Sequence, residues 1–183
     1  MRKIIFQMMI SVDGFFEGPD RELDWHVVDS DFIDYAIDLL NSVDTILFGR
    51  VTYQMMAAYW PTPRAIKVDP IIAERMNNLP KIVFSPTLEE VEWQNSRLVK
   101  GNIAEEVDKL KHQPGKDMVI LGSSDLAVAL TKLGFIDEYR IIVNPVVLGS
   151  GKSLFEGLNN RLALKLLDVR TFSSGTVLLR YQT

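Results

Sequence analysis

Apolar positions along the chain fall into two kinds of stretch: short continuous runs, which suit buried strands, and runs spaced by three and four, which suit helices. Ile4 to Val12, rich in Ile, Phe and Met and stopped by the turn dipeptide Asp13-Gly14, predicts a central strand buried on both faces. The following FFEGPDRELDW is too rich in Gly, Pro and charge to be regular and predicts a loop. From Ser30 or Asp31, DFIDYAIDLLN places Phe32, Ile33, Ala36, Ile37 and Leu40 at helical spacing, with acids early where the helix dipole favours them. Asp44-TILF-Gly49 then predicts a strand, and VTYQMMAAY a helix ending at Trp60-Pro61. Pro61 to Val68 has no period and predicts a loop. Asp69 as N-cap and Pro70 at the first helical position open a short helix, DPIIAERMNN.

Lys81-IVF-Ser85, stopped by Pro86, predicts a third strand, and Ser96 to Lys100 a short one. Asn102, with Glu105 three residues on, caps the helix IAEEVDKLKH, which Gln113-Pro114-Gly115 ends. Asp117-MVIL-Gly122 is a further strand, Ser123 or Ser124 caps DLAVALTKL, and Gly134 stops it. The pattern then changes: EYRIIVNPVVL predicts a strand interrupted by Pro145, and LALKLLDVRTF, Ser173-Ser-Gly and TVLLRYQ a long hairpin. Parallel-type units followed by an antiparallel hairpin predict a three-layer α/β fold, a mixed sheet flanked by helices. With 183 residues and no linker, repeat or low-complexity stretch, the expectation is a single domain over 1–183.

Composition narrows the chemistry. Twenty Lys and Arg against 24 Asp and Glu give a formal net charge of -4, so no global positive field exists to hold a nucleic acid backbone. With Cys at 0 and only His26 and His112, disulfides, thiolate metal sites and a cysteine nucleophile are excluded, and no metal centre is expected. The start, Met1-Arg-Lys then IIFQMMI, is broken by Gln7 and lacks a small-residue cleavage site, so it reads as a strand rather than a signal peptide. No membrane segment is expected, and the expected location is cytoplasmic. Chemistry carried by a bound cofactor remains open.

GSGKS at Gly149 to Ser153 resembles the end of a P-loop, but that loop needs glycine at 146, where Val146 stands in an apolar run. The stretch also misses the dinucleotide fingerprint, since Leu154 follows at the third position; a glycine-rich turn is the simpler reading. Two other places have a better physical case. At Gly49-Arg50-Val51-Thr52 and at Gly122-Ser123-Ser124 a strand ends in glycine and feeds a helix, whose N-terminal N–H groups and dipole favour an anion. Two such sites in one sheet suit a diphosphate, while either alone is a common strand-to-helix turn.

The order ISVDG, ILFGRVTY, VFS, VILGSSDL and GFIDEYRIIVNPVVLGSGKSLF, from Ile4 to Phe155, resembles the dihydrofolate-reductase-like fold. Within it the sequence is most similar to the reductase domain of the bifunctional deaminase-reductases of riboflavin biosynthesis and its stand-alone relatives. The resemblance implies an NADPH-dependent oxidoreductase acting on a small-molecule heterocycle of pterin, folate or aminopyrimidine type, and a homodimer. It implies that Gly49, Arg50 and Thr52 bind phosphate, with Tyr53 in the same turn; that Ser85 lies near the adenosine 2'-phosphate; and that Gly122, Ser123 and Ser124, with Leu126, take the diphosphate. Relatives carry a glycine pair at the last turn, and dihydrofolate reductases proper a cis bond there. Ser123 replaces the second glycine, and a non-proline cis bond costs about 3–4 kcal/mol, so the cis bond is not expected.

Hydride transfer asks the protein for positioning and one proton donor. The candidate acids are Asp13, Asp24 and Asp31, ranked in that order; Asp13 is equally a turn former and Asp31 a helix cap. Gly14, Trp25 and Phe48 are candidates for the substrate side, Trp25 as a stacking wall or as a loop anchor. A non-catalytic nucleotide-binding regulatory protein on the same fold is the alternative. SVDGFFEGPDRELDWHV carries five acids against Arg21 and His26, which suits an unphosphorylated heterocycle unless Arg64 and Lys67 fold over the site.

Overall fold

A computed structural model describes residues 1–183. The chain runs through β1 (Ile4–Ile10), β2 (Phe15–Glu17), α1 (Ser30–Ser42), β3 (Val43–Gly49), α2 (Arg50–Tyr59), α3 (Pro63–Val68), α4 (Pro70–Asn78), β4 (Lys81–Phe84) and β5 (Ser96–Val99). It continues through α5 (Ile103–His112), β6 (Asp117–Leu121), α6 (Ser124–Lys132), β7 (Glu138–Val143), β8 (Lys152–Ser153), β9 (Lys165–Thr171) and β10 (Val177–Gln182). Eight strands form one sheet in the order β5-β4-β3-β6-β1-β7-β10-β9. Strands β5 to β7 in that order pair in parallel, and β10 is antiparallel to both β7 and β9.

The pleat explains why the central strands are apolar at most positions. On β1, Ile4, Phe6 and Met8 enter one core with Val107 and Leu110 of α5 and Leu126, Ala127 and Leu130 of α6. Ile5 enters the other with Tyr35, Leu39 and Leu40 of α1, Tyr53 of α2, and Ile72 and Met76 of α4. The three-layer α/β architecture with a C-terminal antiparallel pair agrees with the sequence reading. No helix is long and apolar enough to cross a membrane.

Several local expectations are corrected. The stretch Pro61 to Val68 is not all loop: the Thr62 hydroxyl accepts from Ala65 N at 3.2 Å and starts α3, a helix too short to display a period. FFE is not all loop either, because β2 pairs with β8, more than 130 residues away. The strand predicted over EYRIIVNPVVL ends at Val143, where the buried Asn144 turns its amide onto the carbonyls of Ile10 and Ile142 at 3.3 and 3.4 Å. The helix α1 starts at Ser30, and Asp29 rather than Asp31 caps it by accepting from Phe32 N at 2.8 Å. Asp69 stands at the start of α4 without a side-chain cap bond.

Candidate active site

The carboxyl ends of β3 and β6, adjacent and parallel, lead into helices on opposite faces of the sheet: α2 packs through Tyr53 into one core and α6 through Leu126 and Leu130 into the other. The strand order therefore reverses between these two parallel strands, one connection leading toward β4 and the other toward β7, which is where open α/β sheets form a ligand crevice. Both predicted anion turns lie at this point.

The turns are bonded to each other. The Ser123 hydroxyl accepts from Gly49 N at 2.9 Å, and the Thr52 hydroxyl accepts from Ser123 N at 3.0 Å. Ser123 holds this position in the left-handed region, φ 56°, and Gly122 before it has φ 67°, so glycine is required where the chain leaves β6. A Cβ at Gly122 would stand 3.3 Å from Thr52 Cγ2, so the two loops approach as closely as their atoms allow. The chain contains no cis peptide bond.

Neither helix start has a side-chain cap, so the first-turn N–H groups of α2 and α6 face the crevice end unbonded by any cap residue. Arg50, at the first position of α2, is exposed, and its guanidinium reaches only Gln54 Oε1 at 3.2 Å. Asp125, in the first turn of α6, is neutralised by Lys152 of β8 at 3.0 Å. A collision between a Cβ at Gly151 and the Glu17 carbonyl explains the glycine that lets β8 lie against β2 and deliver Lys152. GSGKS thus enters a short strand rather than a phosphate loop's helix. The donors present, two uncapped helix starts and a guanidinium without a carboxylate partner, fit a dinucleotide diphosphate.

Other predicted residues have different surroundings. Phe48 is fully buried and Tyr53 nearly so, stacked with Trp93, whose N donates to the Tyr53 hydroxyl at 3.0 Å. Their side chains belong to the core rather than to a ligand surface. Leu126 is likewise a core side chain, and only its first-turn N–H faces the crevice end. Ser124 is buried beside it. The Ser85 hydroxyl is occupied by its own turn, accepting from Thr87 N and Leu88 N at 3.2 and 3.1 Å. Gly14 closes the turn after β1 with its N–H on Ser11 O at 3.0 Å and open space on its Cβ side.

The acids also differ from expectation. Asp13 accepts from Leu148 N and Gly149 N at 3.1 and 2.7 Å, and hydrogen bonds from the Ser11 side chain first, then these amides, hold its carboxyl below the ordinary range. In the free protein it clasps the Leu148–Gly149 turn as a carboxylate. Asp31 accepts from Ser173 N at 3.0 Å, and bonds from Ser173 lower its pKa as well, so it docks the β9–β10 turn. Asp24 is exposed on the front loop. Trp25 is half-buried, its indole N–H on Glu22 O at 3.1 Å and its ring edge-on to His26 at 4.4 Å. The sequence reading missed Asn144, fully buried, whose Oδ1 accepts from Val27 N at 2.9 Å and anchors this loop to the ends of β1 and β7. Its one sequence signal is a polar residue closing an apolar strand before Pro145.

The fold and the crevice define a three-layer α/β protein with two helix starts converging where the strand order reverses. The RibD C-terminal domain family model matches residues 2–178, and the chain belongs to that family. The uncharacterized protein YyaP of Bacillus subtilis (strain 168) is 39% identical over 180 residues, which span 98% of this chain and 94% of that one. A protein of Shewanella sp. PV-4 named for riboflavin biosynthesis superposes with a TM-score of 0.76 at 24% identity, over 100% of this chain and 98% of its own. The diaminohydroxyphosphoribosylaminopyrimidine deaminase/5-amino-6-(5-phosphoribosylamino)uracil reductase of Thermotoga maritima superposes at 0.70 with 14% identity. It matches over 99% of this chain but only 56% of the longer one, and at these identities the likeness is one of fold.

Proposed function

We propose that this protein is an NADPH-dependent reductase of a flat heterocycle, of aminopyrimidine, pterin or folate type, working as a cytoplasmic homodimer of one-domain chains. The reading rests on family membership and on one observation, the pair of uncapped helix starts locked together through Ser123 at the strand reversal. The chemistry a bound dinucleotide supplies is hydride donation. In this reading the N–H groups of α2 and α6 hold the diphosphate, Arg50 meets the 2'-phosphate, and the front loop around Trp25 walls the heterocycle. The Ser85 oxygen accepts from Thr87 N and Leu88 N, which leaves its O–H as the one group it has to offer the extra phosphate, beside the charge-assisted donors of Arg50.

A second reading, a nucleotide-binding regulator without turnover, is favoured by the commitment of Asp13 and Asp31 to structural hydrogen bonds. Thermal shift with NADPH, NADH, ATP and GTP, followed by NADPH oxidation against a panel of heterocycles, separates the two. A ligand at about 100 times its Kd stabilises by about 2.7 kcal/mol. Protection by NADPH with turnover supports the reductase, protection without turnover the regulator, and protection by ATP or GTP alone removes the reductase while leaving a nucleotide-binding regulator.

A further inference from the structure

His26 Nε2 and the Ser96 hydroxyl are the two buried side-chain polar atoms without a hydrogen-bond partner. Ser96 opens the edge strand β5, far from the crevice in the sheet order. His26 is different in both chemistry and place. Its neighbour Val27 is pinned by Asn144 Oδ1, and the Asn144 amide is itself bonded to Ile10 and Ile142, the last turns of β1 and β7. The backbone next to His26 is thus held near the carboxyl ends of β1 and β7, β1 being the neighbour of β6 in the sheet, and the imidazole lies edge-on to Trp25.

A buried polar atom left without a partner costs stability, and an apolar side chain of the same shape would avoid the cost. Burial also lowers the proton affinity of His26 below the ordinary histidine range. The ring is therefore neutral at physiological pH, offering one donor and one acceptor. Gly18 to Asp29 contains neither helix nor strand, so a small turn of the ring or shift of the loop presents Nε2 to a molecule lying against Trp25. The lactam and amino edges of a pyrimidine or pterin alternate donors and acceptors and match a neutral imidazole.

We infer that His26 is a substrate-contacting specificity residue whose Nε2 hydrogen-bonds the polar edge of the heterocycle. This rests on the reductase reading above. It assigns no proton transfer to His26: the ring selects and orients, and its unpartnered nitrogen is retained in the free protein because the bound heterocycle satisfies it.

The test uses the full chain with His26→Phe, which keeps a ring and removes both nitrogens, and His26→Gln, which keeps a donor and an acceptor. Thermal unfolding, NADPH affinity by fluorescence quenching, and steady-state NADPH oxidation with dihydrofolate and with 5-amino-6-(5-phosphoribosylamino)uracil, with and without its phosphate, are measured for each. His26→Phe is expected to unfold at a higher temperature than wild type, to bind NADPH within about twofold of it, and to raise KM for the accepted heterocycle about tenfold, a loss of about 1.4 kcal/mol. His26→Gln is expected to recover much of that KM. A KM unchanged in His26→Phe overturns the inference, whichever way the unfolding temperature moves. If wild type binds NADPH but turns over none of these compounds, the reductase reading fails. His26 is then judged by its imidazole 15N resonances with each heterocycle at millimolar concentration, the exposed His112 serving as control: a shift at His26 alone sustains the contact, and none overturns it.

Discussion

Ser123 stands where its hydroxyl accepts from Gly49 N at 2.9 Å while its own N–H donates to the Thr52 hydroxyl at 3.0 Å, so one residue joins the exits of β3 and β6. The left-handed backbone at Ser123 is the cost of that geometry, since a non-glycine residue there loses about 1 kcal/mol. Ser123→Ala keeps the backbone strain and leaves the Gly49 N–H without its partner, and is expected to destabilise by about 1–3 kcal/mol. Ser123→Gly relieves the strain and is expected to cost less. Both should weaken NADPH binding, because the two helix starts lose their fixed spacing. Chemical denaturation and NADPH titration of the two variants check this, and an unaltered NADPH affinity in both would separate the Ser123 tie from cofactor binding.

Arg50 carries the cofactor prediction. Arg50→Ala removes a charge-assisted donor, and is expected to weaken NADPH about tenfold or more while changing NADH little. Isothermal titration with both dinucleotides is the measurement. An equal loss for the two would move Arg50 to the diphosphate.

The short continuous apolar runs made the sheet and its two helical layers legible, because a strand buried on both faces is apolar along most of its length, as β1, β3 and β6 are apart from Gln7, Asp44, Thr45 and Asp117. Glycine at the ends of β3 and β6 made the two anion turns legible for a similarly local reason. What was not legible depends on partners distant in sequence. Asp13 and Asp31 read in sequence as acids or caps, and nothing local shows that Gly149 and Ser173, distant in the chain, donate to their carboxylates. Phe48 and Tyr53 adjoin the phosphate-type turn in sequence, but the pleat and the helical turn send both rings into the core. Of the apolar hairpin residues, Leu178 enters one core and Leu164 packs against the other, whereas Leu166, Leu167 and Val169 lie exposed on the edge strand β9.

That edge motivates the dimer prediction. β9 has no strand beyond it, and Leu166 and Val169, opposite Tyr181 and Leu179, are about half exposed on one face of the sheet. Light scattering is expected to give about twice the chain mass of 20.8 kDa, falling to one chain in Leu166→Lys/Val169→Lys. A wild-type protein of single-chain mass at micromolar concentration removes the prediction, and a double variant that stays dimeric moves the interface elsewhere.

Lys81 has no exposed surface, and its ammonium donates to the carbonyls of Met76, Asn77 and Leu79 at 2.9, 3.0 and 2.7 Å while lying 4.4 Å from the Trp93 ring centroid. It closes the end of α4, and burial pushes its pKa down to about 8 from 10.5. Between these two values the unfolded chain holds the proton more firmly than the folded one. Stability from this group therefore rises as pH climbs from about 8 to 10.5, with the full penalty of the buried charge present below about 8. Lys81→Met loses the carbonyl contacts and is expected to be less stable at pH 7, with the gap to wild type widening at pH 10. Urea unfolding at both pH values is the check, and a gap independent of pH would show that the three carbonyls hold the ammonium at its ordinary proton affinity.

The substrate prediction follows from where positive charge is missing. A ribose phosphate needs basic groups on the heterocycle side of the crevice, and the front loop that walls the heterocycle in the proposed reading carries Asp20, Glu22 and Asp24 against Arg21 alone, His26 being neutral. Arg64 and Lys67 do not make up the difference. They lie on α3, which begins where α2 ends, and the ten residues of α2 put about 15 Å between that point and Arg50. The six residues of α3 span only about 9 Å, and Asn77 Nδ2, donating to Trp60 O at 3.0 Å, ties the end of α4 to the same far end of α2. With Arg50 engaged by the cofactor, a substrate phosphate would meet carboxylates at close range. An unphosphorylated pterin-like or pyrimidine heterocycle is therefore expected to be reduced with the higher kcat/KM. NADPH oxidation measured side by side on 5-amino-6-(5-phosphoribosylamino)uracil and its dephosphorylated form decides it, and faster turnover of the phosphate ester would reverse the substrate preference while leaving the reductase reading standing.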